Sequence, residues 1–192
     1  MARRPRCQAA GITQHIVQRG NNRTDIFRSE RDFSFFQDWL GESVRRYACR
    51  VHAYCFMRNH VHLLVTPDVD GAVSKVMQTL GIRYVQYFNK RHQRTGTLWE
   101  GRYYASAIDT ARYLLGCYRY IEMNPVRAGI TTDPRDYRWS SYAANALGRS
   151  DALITPHSLY DALGRDHEQR LSAYRELFQI PIDNDTRDAI RR

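Results

Sequence analysis

Lysine is nearly absent from this 192-residue chain: Lys75 and Lys90 stand against 27 arginines, in a net charge of +9. Long apolar runs are absent as well. No stretch reaches the ~20 residues that a bilayer-spanning helix needs, and the start MARRPRCQAAG carries no apolar core of the secretory kind. We therefore expect a cytoplasmic protein with no membrane partner. Cysteine is sparse. Cys7, Cys49, Cys55 and Cys117 show no C-x-x-C spacing and read as reduced thiols, with Cys55 expected in the core. Hydrophobic residues make up 43% and charged residues 26%, which excludes disorder, collagen-like and disulfide-miniprotein compositions and leaves room for one main core.

The excess of positive charge points to a polyanionic partner, because each neutralised phosphate releases counterions and adds affinity. Nucleic acid leads. The guanidinium fork suits bidentate phosphate contacts and stacking on bases. GC-rich coding also raises arginine, but the total charge stands under either reading.

Residues 12–18, ITQHIVQ, read as a strand that runs into the turn RGNNR. Ser29 and Asp32 resemble an N-terminal cap, and Phe33, Phe36, Leu40, Val44 and Tyr47 follow at helical spacing. RVHAYCF (50–56) and VHLLVT (61–66) read as a hairpin through Arg58 and Asn59. Val73, Val76, Met77, Leu80, Tyr84 and Phe88 predict a second helix over 71–91. A basic loop leads through LWEGRYYASAI to a last strand, and a third helix over 110–123 is closed by Pro125. Two short helices, 157–163 and 167–178, follow, the second capped by Asp166. The order predicts an α+β fold: a ferredoxin-like split β-α-β sandwich with an antiparallel sheet, an appended helix and a C-terminal helical extension. We divide it into a basic leader (1–10), a catalytic domain (11–130) and the extension (131–192).

In a strand His60 and His62 point to one face while Val61 and Leu63 point to the other, so the two imidazoles can meet one metal ion. Two ligands are too few for a tight site, and H-x-H is equally the pattern of surface or hydrogen-bonded histidines. At ~100° per residue, Leu114, Leu115, Tyr118 and Ile121 fall on one arc of the third helix, expected to face the core. Tyr113, Cys117, Tyr120 and Asn124 gather on another, and Arg112 and Arg119 face solvent. Tyr120 and Asn124, at i and i+4, can act at one site. A phenol with pKa near 10 needs a cation or base to act as nucleophile. Two histidines and an asparagine around one divalent ion would supply that setting, and the ion would polarise a phosphate oxygen during attack by Tyr120. Among 13 tyrosines most are packing groups, and that remains the alternative for Tyr120.

These residues together resemble the HUH superfamily of single-tyrosine transposases, and within it the REP-associated tyrosine transposases. The likeness rests on QHIVQRGNNR (14–23), HAYCFMRNHVHLLVTP (52–67), RYVQYFNKRHQRTGTLWEGRYYAS (83–106), YLLGCYRYIEMNPVRAG (113–129) and YRWSSY (137–142). The resemblance implies cleavage and rejoining of single-stranded, hairpin-forming DNA through a 5′-phosphotyrosine on Tyr120. It implies a divalent ion, Mg²⁺ or Mn²⁺, held by His60, His62 and Asn124. Asn124 is one methylene shorter than the family's more usual Gln, and Arg58 replaces the usual Pro or Thr before the histidines.

The same resemblance suggests DNA contacts from Arg19, Asn21, Asn22 and Arg23, from Arg83 on the second helix, and from Arg94, Trp99, Arg102 and Tyr103. Arginines interleaved with aromatics suit phosphate contacts and base stacking on a single strand. Arg3, Arg4 and Arg6 are expected to meet the hairpin backbone or groove. Tyr84 is expected in the core, Trp99 either there or on DNA, and Trp139 and Tyr142 as packing for the extension. Relatives that exchange tyrosine helices form homodimers, whereas the extension favours a monomer. Two alternatives keep the same fold: a DNA-binding regulator that does not cut, and a phosphohydrolase in which water attacks.

Overall fold

The computed structural model describes residues 9–108 and 110–181, so Arg3, Arg4, Arg6 and Cys7 lie outside the described residues. Its order is β1 (Gln14–Arg19), α1 (Glu30–Arg46), β2 (Cys49–Met57), β3 (His60–Pro67), α2 (Ala72–Arg91), β4 (Tyr104–Ala107), α3 (Ala111–Glu122), α4 (Asn124–Arg127), α5 (Tyr142–Leu147), α6 (Ser158–Asp161) and α7 (His167–Leu177). The sheet runs β2-β3-β1-β4 with every pairing antiparallel, the split β-α-β arrangement.

Local chemistry starts these elements. The Asp32 carboxylate accepts from the backbone N–H of Arg28 at 2.8 Å and of Ser29 at 2.9 Å, satisfying donors at the mouth of α1. Asp166 accepts from the Gln169 N–H at 2.8 Å and opens α7 as its sequence position suggested.

Alternation along the strands gives the sheet two different faces. On one, Ile16, Val51, Tyr54, Phe56, Val61, Leu63 and Val65 pack with Phe33, Phe36, Leu40 and Val44 of α1 and with Val76, Leu80, Tyr84 and Phe88 of α2. Phe36, 1% exposed, meets the rings of Phe27, Phe56 and Tyr84, so Phe36→Ala would cost about 3–5 kcal/mol. On the other face, Ala53, Cys55, Met57 and Leu64 pack with Leu114, Cys117, Tyr118 and Ile121 of α3 and with Tyr142, Ala146, Tyr160 and Tyr174 of the extension. The segment beyond residue 130 therefore shares a core with α3. Trp139 and Tyr142 are packing residues as expected, stacked on Phe33 at 4.7 Å and set edge-on to Phe178 at 5.0 Å.

One irregularity makes this two-sided arrangement work. The β2–β3 register shifts between Val51 and Ala53, leaving His52 as the extra residue of a bulge. Val51 and the pair Tyr54 and Phe56 can then all enter the α1/α2 core, while Ala53 and Cys55 enter the other. The bulge also docks the extension: the Thr155 carbonyl accepts from His52 Nδ1 at 2.7 Å, and the His52 carbonyl accepts from Asn145 at 3.1 Å.

Two expectations for α3 need correction. Its buried surface is not one arc, because α3 is covered from both sides. Tyr118 packs on Tyr160 and Tyr174 of the extension, while Cys117 and Tyr120, expected away from the core, are buried as well. Arg112 is exposed, but Arg119 is half-buried. α3 does end at Glu122, as expected, but a separate short helix resumes at once around Pro125. Pro125 sits in the first turn of α4, where its missing N–H costs no hydrogen bond.

Candidate active site

The pleat of β3 presents His60 and His62 on the α3 face, as the alternation requires. Their rings lie 4.9 Å apart at 80°. Asn59 Oδ1 lies 2.6 Å from His60 Nδ1 and fixes the proton on that nitrogen. His62 Nδ1 meets His15 Nε2 at 2.9 Å, the two rings nearly coplanar with centroids 5.1 Å apart. Both histidines thus make their hydrogen bonds through Nδ1, which leaves each Nε2 as the atom to offer a cation.

Burial, reinforced by the positive charges of Arg19 and Arg127, lowers the His60 pKa to about 4. Burial and then His15, His60 and the same arginines push His62 well below its ordinary value. Both rings are neutral at physiological pH, the form that binds metals.

Helix α3 lays the Tyr120 ring edge-on to both imidazoles, 5.9 Å from His62 and 5.9 Å from His15. Thr110 positions the helix by accepting from the Tyr113 N–H at 3.3 Å. Asn124, one turn beyond Tyr120, donates to the carbonyls of Tyr120 at 3.0 Å and Ile121 at 3.2 Å. Its Oδ1 accepts from Arg127 Nη2 at 2.8 Å, and the Arg127 guanidinium carbon lies 3.8 Å from the Tyr120 ring centroid.

Among the described residues, no group of three or more His, Cys, Asp or Glu stands together as a metal cluster. The donor set available is instead two neutral imidazoles and one amide oxygen, and an amide oxygen retains a second lone pair while accepting from Arg127. Such a set suits a first-row divalent ion that keeps water or substrate oxygens in its remaining positions.

The candidate DNA contacts divide between the two faces. Arg19 pairs in register with His60 and acts electrostatically on it, so it borders the histidines. The turn Asn21–Arg23 is held beside them by Asn21 N–H donating to Leu98 at 2.8 Å and by Asn59 donating to the Arg23 carbonyl at 3.2 Å. Gly20 permits that path, since a Cβ there would stand 2.2 Å from the Thr24 carbonyl oxygen. Arg83 and Arg94 lie on and after α2, across the sheet from the histidines. Arg83 pairs with Glu42 and lies over Trp39, and Arg94 lies over Phe88. Tyr84 is fully buried, as expected, and half-buried Trp99 stacks on it at 6.0 Å. Tyr103 is buried with its hydroxyl 2.9 Å from that of Ser74, and Arg102 is exposed. Trp99, Arg102 and Tyr103 line a cleft of about 640 Å³ along α2. The structure does not bring these five to the histidine pair.

Three further residues on these elements lie within the stretches quoted above, yet nothing in their spacing singles them out. His15 joins it because β1 pairs with β3, which the spacing within QHIVQ cannot reveal. Arg127 lies seven residues after Tyr120 and on a separate short helix, so the helical spacing of α3 does not reach it. Glu122 is fully buried on the far side of α3, accepting from Ser141 at 2.6 Å, Asn145 at 2.8 Å and Tyr174 at 2.7 Å.

A histidine pair on the pleat of an antiparallel split β-α-β sheet, faced by a tyrosine from an appended helix, defines a single-tyrosine, histidine-pair site on an α+β sandwich. The model of the family described as Transposase IS200 like matches residues 8–124, and the chain belongs to that family, with a transposase-type function on DNA. A provisionally named REP-associated tyrosine transposase of Haemophilus influenzae is 25% identical over 134 residues, covering 61% of this chain and 76% of its own length. A solved structure of a REP-associated tyrosine transposase bound to a REP hairpin superposes with a TM-score of 0.65 at 18% identity, covering 82% of this chain and 93% of that one. It shares the fold.

Proposed function

We propose that the protein nicks and rejoins single-stranded, hairpin-forming DNA through a 5′-phosphotyrosine on Tyr120. The observation that carries this reading is the setting of Tyr120: buried, edge-on to His62 at 5.9 Å, with the Arg127 charge over its ring. The hairpin substrate is supported by the DNA-bound relative of the same fold.

The Tyr120 oxygen attacks the phosphorus in line, the P–O3′ bond breaks, the phenol proton passes to water and the leaving 3′-oxygen takes one up. Rejoining is the reverse attack by a 3′-hydroxyl. Because a phosphodiester is exchanged for a phosphodiester, no external energy source is needed. His60 and His62 would hold a divalent ion, Mg²⁺ or Mn²⁺, through Nε2, with the Asn124 oxygen as third donor. When bound, such an ion supplies Lewis-acid polarisation of a phosphate oxygen. His15 and Asn59 hold the two imidazoles in orientation, and packing of α3 on β2 and β3 orients the phenol.

The test is a denaturing gel of protein with Mn²⁺ and labelled hairpins from the DNA flanking its own gene, beside Tyr120→Phe and His60→Ala. We expect a DNA-linked protein band that both substitutions abolish. Cleavage without that band, persisting in Tyr120→Phe, would establish hydrolysis by water; retention without cleavage would establish a binding-only protein.

A further inference from the structure

Arg127 is neither a proposed ligand nor the proposed nucleophile, yet its charge is aimed at the centre of the site. The side chain leaves α4 exposed to solvent, and its guanidinium carbon lies 3.8 Å from the Tyr120 ring centroid. Nη2 donates to Asn124 Oδ1 at 2.8 Å, and the same positive charge lowers the pKa of both His60 and His62. One flexible cation is therefore within reach of the phenol, the amide oxygen and the two imidazoles. A plain structural account exists: a cation in the last turn complements the helix dipole and holds the Asn124 side chain. That role, however, would not require the guanidinium to cover the one tyrosine that faces the histidine pair.

We propose that Arg127 is a catalytic residue that grips the scissile phosphate beside Tyr120 and neutralises the charge that builds there during attack. This inference rests on Tyr120 being the nucleophile. As the phenol proton leaves and the Tyr120 oxygen closes on a phosphate that already carries one negative charge, the five-coordinate state carries two. A planar guanidinium offers two parallel N–H donors to two phosphate oxygens at once, and fixed donors aimed at developing charge give large rate effects. The reaction consumes nothing from Arg127: it stays protonated throughout, and Asn124 Oδ1 is freed for another donor or cation when the guanidinium swings to the phosphate.

The test compares wild type, Arg127→Met and Arg127→Lys on the flanking-DNA hairpins. Each substrate is made once as the native strand and once with an uncharged methylphosphonate at the linkage that wild type cuts. At saturating DNA and Mn²⁺, Arg127→Met should slow adduct formation on native DNA about 100-fold, and Arg127→Lys should recover part of that. On the methylphosphonate the wild type and Arg127→Met should differ by less than about threefold, because one of the two oxygens that the guanidinium fork would hold is gone and the five-coordinate state carries one negative charge instead of two. Equal penalties on the two substrates, or none on the native strand, would overturn the proposal in favour of helix capping.

Calorimetric Mn²⁺ binding and the unfolding midpoint separate this effect from a damaged cation site or fold: with the Arg127 charge and its bond to Asn124 gone, Arg127→Met should bind Mn²⁺ no more weakly than wild type and remain folded at the assay temperature. If wild type forms no adduct at all, the nucleophile reading fails by itself. The phosphate contact is then read from single-strand binding, where Arg127→Met should reduce the slope of log K against log salt by about 0.7. An unchanged slope would remove it too.

Discussion

The imidazoles of His15 and His62 meet edge to edge in nearly one plane, the ring planes 9° apart and the facing nitrogens 2.9 Å from each other. With the His62 Nδ1 proton donated to His15, the His62 Nε2 lone pair is fixed in direction. His15→Phe keeps an aromatic ring at that position and removes the hydrogen-bonding nitrogen. We expect Mn²⁺ affinity to drop about 10- to 100-fold with hairpin binding unchanged, checked by calorimetry and by gel retardation. Undiminished Mn²⁺ affinity would leave His15 as packing alone.

The neutral state of the pair sets a pH range. His60 is lowered from 6.5 to about 4 by burial, so it stays unprotonated where a free imidazole would be charged. Adduct formation should therefore persist down to about pH 5 and fall away only near pH 4. The unfolded chain takes up these protons first, so the contribution of His60 to stability is complete above about pH 6.5 and is lost as the pH falls toward 4, and His62 acts in the same direction. A rate that halves near pH 6.5 would contradict the buried, neutral assignment.

Glu122 works in the opposite direction. Burial raises its pKa from 4.5 to about 7, against the lowering effect of its hydrogen bonds from Ser141, Tyr174 and Asn145. A group that holds its proton more tightly folded than unfolded gives stability that is full below about pH 4.5 and declines as the pH rises through about 7. Glu122→Gln does not titrate. Relative to it, the wild type should lose on the order of 3 kcal/mol between those limits, measured as urea-unfolding free energies at pH 4.5, 6 and 7.5. A constant difference would mean that Glu122 titrates as an ordinary carboxylate.

Glu122 and Tyr118 bind α3 to the α5–α7 region of its own chain, and we expect the tyrosine helix to stay with its own subunit. Mixing Tyr120→Phe with His60→Ala should restore no adduct, whereas an exchange of helices would regenerate one intact site per pair. Adduct appearing in the mixture would establish cleavage in trans.

The elements and the residues of the histidine pair could be read from the chain because both rest on local period. Apolar spacing marked α1 and α2, and alternation placed His60 and His62 on one face. What escaped depends on partners distant in sequence. His15 belongs beside His62 only once β1 pairs with β3, and the second buried side of α3 exists only because the extension covers it. The α2 candidates Arg83 and Arg94 carry the chemistry of DNA contact, but α2 packs on the face opposite the site. Composition supplies the charge, and topology decides where it stands.

The bulge at His52 has an evolutionary consequence. Side chains along β2 can be exchanged one at a time, each tested against a single neighbourhood. Loss of the His52 codon would instead leave Val51 opposite Val65 and Ala53 opposite Leu64 in unbroken register, each side chain on its present face, and would remove the bonds by which the bulge holds Thr155 and Asn145. Lineages of this chain should keep or lose that one residue together with the extension it docks, and hold the facing of the rest of β2 unchanged.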